Sequence, residues 1–236
     1  MKRPPTIVFD LGGVLVENAT LSALGELLPE PIDAGATRDR WLASKSVRAF
    51  ELGRSDPAAF AASFIAEWDL ALSPGEFLAE FVTWPRAFWP DSLALIAELR
   101  PHHQVACLSN CNELHWARFG GFTEHFDAAF SSHLLGRIKP DRDVFEMVLE
   151  RLAVKPDAAY FFDDSPTCVD AARDLGIRAY LADSPGSCRD VLVAEGLCER
   201  PVEQARQPAN HGPDSKLQPQ ARGAVVCRLR AGRHTD

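Results

Sequence analysis

Thr6-Ile7-Val8-Phe9-Asp10-Leu11-Gly12-Gly13-Val14 is a β-branched and aromatic run that stops at a carboxylate followed within three residues by two glycines. Such a run, short and apolar throughout, reads as a strand buried on both faces. The same signature returns at Val105 to Ser109, Ala128 to Ser131, Ala159 to Phe162 and Arg178 to Leu181. Helical patterns separate the later runs, among them Val144 to Leu152 and Val169 to Leu175. Alternation of strand and helix is the mark of an open parallel sheet with right-handed crossovers, so the expectation is an α/β, doubly wound, Rossmann-like core.

One interval breaks the rhythm. From Asn18 to Trp84 nothing resembles a strand, and Leu, Ala, Phe and Trp recur at helical spacing. Ser73 with Glu76 makes a capping box, and Asp56 before Pro57 makes an N-cap with proline at the first helical position. About four helices fit there as an insert. Glu17 to Thr20 on one side, with Pro85 and Pro90 on the other, mark the crossings and suit a hinge. The expected organisation is a core of residues 1–17 and 86–198, a helical cap of residues 18–85, and a disordered tail of residues 199–236. The tail is rich in Gln, Pro, Gly and Arg, and mildly basic on an acidic body.

Composition limits the function. The 236 residues are 46% hydrophobic and 25% charged, with net charge -8, which disfavours nucleic acid and anionic membrane as partners. No stretch approaches the ~20 uninterrupted apolar residues of a membrane span. The six cysteines form no CxxC pair, so reduced thiols and a cytoplasmic protein are expected, a monomer or homodimer acting on a small molecule.

Four polar signals fall at strand ends or in the loops beyond, where open α/β sheets bind ligands: Asp10, Ser109-Asn110, Lys139-Pro140-Asp141 and Asp163-Asp164. Singly, each reads as a turn or a helix cap. Together, the segments FDLGGVLVE, CLSN, GRIKPDRDVF and FFDDSPTCVDAARDLGI resemble the haloacid dehalogenase-like (HAD) superfamily over roughly Thr6 to Ala194. They are similar to its subfamily I with a C1-type helical cap, in the branch of sugar phosphatases and epoxide hydrolase N-terminal phosphatase domains. The resemblance implies a Mg²⁺-dependent phosphohydrolase acting on a small phosphorylated metabolite such as a sugar phosphate. Asp10 would attack phosphorus to give an aspartyl-phosphate. Lys139 would neutralise it, and Ser109 and the Asn110 amide would donate to phosphoryl oxygens. The resemblance also sets Gly12 and Gly13 against the substrate. It implies a metal site of Asp10, the Gly12 carbonyl, Asp163 and Asp164, with Asp164 the most direct ligand.

The sequence departs from the family pattern twice. Gly12 stands where the phosphatases usually carry a second aspartate, the general acid, although glycine-bearing forms exist in the same branch. Without a positioned acid, aryl, acyl and anomeric phosphates should react faster than primary-alcohol phosphates, and a flat dependence on leaving group would mean a substitute acid. Glu17 is the nearest downstream carboxylate, although it reads more simply as a hinge residue. Cys168 stands four residues after Asp164, where Asn or Asp is expected, and a thiol is a poor partner for Mg²⁺ ligands. The alternatives are a metal-independent dehalogenase, disfavoured by the charge of Asp163 and Asp164 beside Asp10, and a weakened HAD-fold binding protein. Arg48, Glu51 and Arg54 are cap residues that could read the far end of a substrate, although a charged helix face is more often just solvated. Trp41, Trp68, Trp84, Phe88 and Trp89 read first as packing and hinge anchors, and one or two of them could face the pocket and stack on a sugar or aryl group.

Overall fold

The structure, a computed structural model, describes residues 4–30 and 32–199. Nearly all of the segment expected to be a disordered tail lies outside the described residues. Among the described residues no helix is long and apolar enough to cross a membrane.

Five strands form one parallel sheet: β1 (Thr6–Phe9), β4 (Gln104–Ser109), β5 (Ala128–Ser131), β6 (Ala159–Asp163) and β7 (Arg178–Leu181), in the spatial order β5-β4-β1-β6-β7. β1 is central and wholly buried, which explains why its sequence is apolar without alternation. Its neighbouring residues serve different cores. Ile7 and Phe9, with Val105, Cys107, Tyr160 and Phe162, pack beneath α6 (Ser92–Leu99) and α11 (Pro185–Ala194). Val8, with Ala106, Leu108 and Phe161, packs beneath α9 (Arg142–Leu152) and α10 (Pro166–Arg173). Two short helices, α7 (Glu113–Arg118) and α8 (Ser132–Leu135), follow β4 and β5.

Between β1 and α6 the chain makes a helical insert. Its five helices are α1 (Thr20–Leu27), α2 (Ala34–Ala43), α3 (Lys45–Glu51), α4 (Pro57–Trp68) and α5 (Pro74–Phe81). Asp56 caps α4 by accepting from Ala59 N, and Ser73 with Glu76 forms the reciprocal capping box of α5, as the sequence predicts. The insert has its own aromatic core, in which Phe50 stacks on Phe60 at 4.2 Å and Phe64 on Phe77 at 4.9 Å between ring centroids.

One expectation needs correction. The crossings are not strand-free. β2 (Val16–Asn18) and β3 (Pro85–Phe88) pair antiparallel, with an irregularity between Val16 and Asn18, so Asn18 belongs to a strand. Proline is tolerated at Pro85 because it starts a strand at the edge of a two-stranded ribbon. His103, in the loop before β4, is partly buried and its Nε2 lies 2.9 Å from the Leu197 carbonyl.

Candidate active site

The C-terminal ends of β1, β4 and β6 open into a cleft of about 780 Å³ roofed by α1, α2 and α3, a size suited to a small-molecule ligand. Asp10 follows β1, its amide donating to the Phe162 carbonyl at 2.8 Å as if extending the sheet. Asp163 is the last residue of β6, and Asp164 follows it. One carboxylate oxygen from each of Asp10, Asp163 and Asp164 falls within 4.8 Å of the others, although more than 150 residues separate Asp10 from the adjacent pair in sequence.

Lys139 lies under this cluster, with its ammonium 2.6 Å from Asp163 Oδ2 and 2.9 Å from Asp10 Oδ1. Its side chain is 2% exposed, and it is held in place by Asn110. The Asn110 amide clasps the Lys139 backbone at both ends, donating from Nδ2 to the carbonyl and accepting at Oδ1 from the amide, both at 2.9 Å. Asp163 Oδ1 accepts from Ser165 N at 2.9 Å, so both Asp163 oxygens are engaged within the protein. Asp10 differs. Its Oδ1 is buried, and although close to Lys139 it receives no well-directed hydrogen bond.

The charges explain the electrostatics. Burial pushes the Asp10 carboxyl up to about 7, and Asp163 and Asp164 push the same way against the pull of Lys139. Burial and Asp163 likewise raise Asp164, which the Arg38 guanidinium, at 3.3 Å, partly opposes. Burial works against the Lys139 charge, but Asp10 and Asp163 more than offset it, and the ammonium persists above the ordinary lysine range.

Gly13 sets the distance between the β1 loop and Asp164. Its φ is +83°, and a Cβ there would lie 2.6 Å from Asp164 Oδ2. Gly13→Ala should therefore cost about 1–3 kcal/mol in backbone strain and displace the Asp164 carboxylate. A thermal melt unchanged from wild type would show that the loop relaxes freely. Gly12 shares the wall of the cleft, and a Cβ there would meet Asn18 Nδ2 at 3.0 Å. Ser109 ends β4, buried at the floor, and its hydroxyl makes no hydrogen bond to another described residue. Cys168 lines the cleft as a neutral thiol, pushed up to about 12 by burial.

The cleft thus brings together every site residue expected from sequence: Asp10, Gly12, Gly13, Ser109, Asn110, Lys139, Asp163 and Asp164. Glu17 is not among its walls and pairs with Arg86 at 3.3 Å. Arg54 is exposed away from it, whereas Trp41, Arg48 and Glu51 line it, with Arg48 paired to Asp141 at 2.5 Å. Two further wall residues, Arg38 and His115, carried no signal strong enough to find. Arg38 reaches Asp164 from α2. His115 donates from Nε2 to the Phe81 carbonyl at 2.8 Å while Asn112 Nδ2 approaches its Nδ1 at 3.2 Å, a neutral tautomer consistent with burial lowering its pKa to about 4.

This arrangement can be set beside known proteins. Phosphatase MT3486 of Mycobacterium tuberculosis is 33% identical over 112 residues, covering 45% of this chain and 52% of that protein, so the match spans about half of the relative's length. D-ribitol-5-phosphate phosphatase of Bacteroides thetaiotaomicron is 23% identical over 79% of this chain and 96% of its own. Among solved structures, a HAD family enzyme of Bacteroides thetaiotaomicron in complex with magnesium superposes with a TM-score of 0.62 at 22% identity, covering 78% of this chain and 96% of that one. The model of the haloacid dehalogenase-like hydrolases matches residues 4–176, from β1 through the Asp163-Asp164 pair and α10. By sheet order, by strand-end carboxylates and by this match over most of its length, the chain belongs to the haloacid dehalogenase-like hydrolase family.

Proposed function

We propose that the chain is a Mg²⁺-dependent phosphohydrolase that acts on a small phosphorylated metabolite, a sugar phosphate being the best-supported class, through a phosphoryl group carried on Asp10. One observation carries this reading: Asp10, Asp163 and Asp164 converge over the buried Lys139 ammonium in a roofed cleft. The phosphatase activities of the two curated relatives support it. A cap of residues 18–85 over a core of residues 1–17 and 86–198 belongs to the same proposal, and it would form a roof able to exclude water from the reaction.

The donor set fits a hard divalent cation. Every donor is oxygen, Asp10 Oδ1 is buried and receives no well-directed hydrogen bond, and Gly13 leaves Asp164 Oδ2 a place that any side chain would fill. Asp10, Asp164 and the Gly12 carbonyl would hold the ion, with Asp163 beside them. Bound there, it would screen the approaching phosphate from the carboxylates and polarise a phosphoryl oxygen.

The residues then divide the work. Asp10 attacks phosphorus in line with the leaving oxygen. Lys139 keeps Asp10 ionised and balances charge on the phosphoryl group, and Asp163 keeps Lys139 aimed. Ser109, with an uncommitted hydroxyl, and the Asn110 amide donate to the equatorial oxygens. The Asn110 side chain does a separate job, fixing the Lys139 loop.

The test is phosphate release from sugar phosphates, acyl phosphates, nucleotides and aryl phosphates, with and without Mg²⁺. Release should vanish in EDTA and return with excess Mg²⁺. The ion should also stabilise the fold, by about 2.7 kcal/mol at a hundred times its Kd. Turnover that persists in EDTA, or halide release from a 2-haloacid in its place, would sink the proposal.

A further inference from the structure

We infer that Glu51, at the C-terminal end of α3 in the roof, is the proton donor and acceptor of this site, taking the place of the carboxyl that Gly12 lacks. The inference rests on the phosphohydrolase reading and adds to it the residue that handles the leaving group. Hydrolysis through Asp10 requires a proton on the departing oxygen and, later, removal of one from water. The residue two beyond Asp10 has no side chain, and Asn18 Nδ2 crowds the position a Cβ would occupy.

Elimination among the cleft walls leaves one group. Asp163 and Lys139 are committed to each other, and Asp164 belongs to the cation site. Arginine does not give up its proton in this range. Both His115 ring nitrogens are engaged within the protein. Burial raises the Cys111 and Cys168 thiols far above neutrality. Glu51 lines the same cleft, half-buried, and its carboxyl makes no hydrogen bond or ion pair with another described residue. A carboxyl left without a partner at the wall of a buried, charged site calls for a functional explanation.

Its position is fixed rather than incidental. At the start of α3, Glu67 of α4 accepts from Ser44 Oγ at 2.9 Å, Lys45 N at 3.0 Å, Ser46 N at 3.1 Å and Ser46 Oγ at 2.5 Å. At the end of α3, the Glu51 carbonyl accepts from Ser132 Oγ at 2.5 Å. Cys111 N donates to that same hydroxyl at 2.9 Å, so the roof is tied to the loop that carries Ser109 and Asn110. Two residues on, Gly53 has φ +67° and passes so close to the His133 carbonyl that a Cβ would stand 2.5 Å from its oxygen. These ties hold the Glu51 backbone to the core floor.

The charges facing Glu51 are Lys139, Asp10, Arg48 and Cys111. Burial raises its carboxyl to about 7; Lys139 and Arg48 oppose the shift and Asp10 adds to it. Both protonation states are therefore populated near neutrality, as a group that donates and then accepts requires. In the first displacement an Asp10 oxygen bonds to phosphorus, the ester P–O bond breaks, and the leaving oxygen takes the Glu51 proton. In the second, the Glu51 carboxylate takes a proton from the attacking water, the Asp10–phosphorus bond breaks, and inorganic phosphate leaves with both carboxyl groups restored.

Glu51→Gln keeps shape and removes the proton, so the test compares it with wild type, Glu51→Asp and Asp10→Asn, on glucose 6-phosphate, phenyl phosphate and p-nitrophenyl phosphate with Mg²⁺. Wild type should depend weakly on leaving-group pKa. Glu51→Gln should lose ~10²–10⁴-fold on glucose 6-phosphate. With p-nitrophenyl phosphate it should release a burst of nitrophenolate stoichiometric with enzyme, followed by a slow phase, with Glu51→Asp between the two. A misfolded fraction would lower all three substrates equally and leave the slope unchanged. Wild-type slope and turnover in Glu51→Gln, with Asp10→Asn inactive, overturn the role of Glu51 alone. A wild-type chain that releases no phosphate, or an active Asp10→Asn, overturns the phosphohydrolase reading as well.

Discussion

Asp10→Asn should lower phosphate release by at least about 10⁴-fold on every substrate, whatever its leaving group. The amide keeps the shape of the carboxylate but cannot attack phosphorus, and it is a weaker ligand for the cation at Asp10 Oδ1. The fold should survive, because Lys139 keeps its pair with Asp163 at 2.6 Å. The stability effect has a sign that follows from the raised carboxyl. Asp10 titrates near 7 in the folded chain and near 4 when unfolded, so its contribution to stability is fully present below about pH 4 and is lost as pH rises through about 7. The substituted amide has nothing to ionise. In metal-free buffer the variant's melting temperature should gain on wild type between pH 5 and pH 8. Such a gain is the ordinary trade of a buried functional charge for stability. Matching pH profiles for the two proteins would mean that Asp10 ionises without penalty, and an active variant would remove it from the chemistry.

The parts legible in sequence are those whose neighbours dictate them locally. β5 and β7 fall on the residues their β-branched and aromatic runs mark, and Asp10, Ser109, Lys139 and the Asp163-Asp164 pair announce themselves by standing at strand ends or in the loops beyond. Topology then brings together residues that sequence separates. The ribbon of β2 and β3 escapes such reading because its strands are three and four residues long, contain Glu17, Asn18, Pro85 and Arg86, and pair with each other across the whole insert. The roof residues are legible only in part, for a similar reason. Glu51 can be marked in sequence as a cap residue able to read a substrate, but its place against the charged site depends on contacts no local pattern shows, from Glu67 of the next helix and from Ser132, 81 residues away, which hold its helix. Arg38, pairing with Asp164 over a separation of 126 residues, is equally invisible in a local pattern.

Lys139→Met should be the most destabilising single change at the site, costing about 3–5 kcal/mol in metal-free buffer, because it strips one cation from between two buried carboxylates. Methionine retains the packing of the aliphatic stem, and the Lys139 backbone keeps its two bonds to Asn110, so the loss isolates the ammonium. For a chain of this size the melting temperature should fall by roughly 6 to 20 °C. Phosphate release should fall at least about 10³-fold, since the counter-charge on both nucleophile and phosphoryl group is gone. Two further measurements separate charge from shape. Mg²⁺ should restore more stability to the variant than it adds to wild type, because Asp10 is shared between the ammonium and the proposed cation site. Adding Asp163→Asn to Lys139→Met should recover part of the loss, since removing both members of a buried pair costs less than stranding one. A single variant that melts within about 2 °C of wild type in EDTA would show that water, rather than this lysine, balances the carboxylates. The convergence of charge on which the proposed chemistry rests would then have no stabilising counterpart.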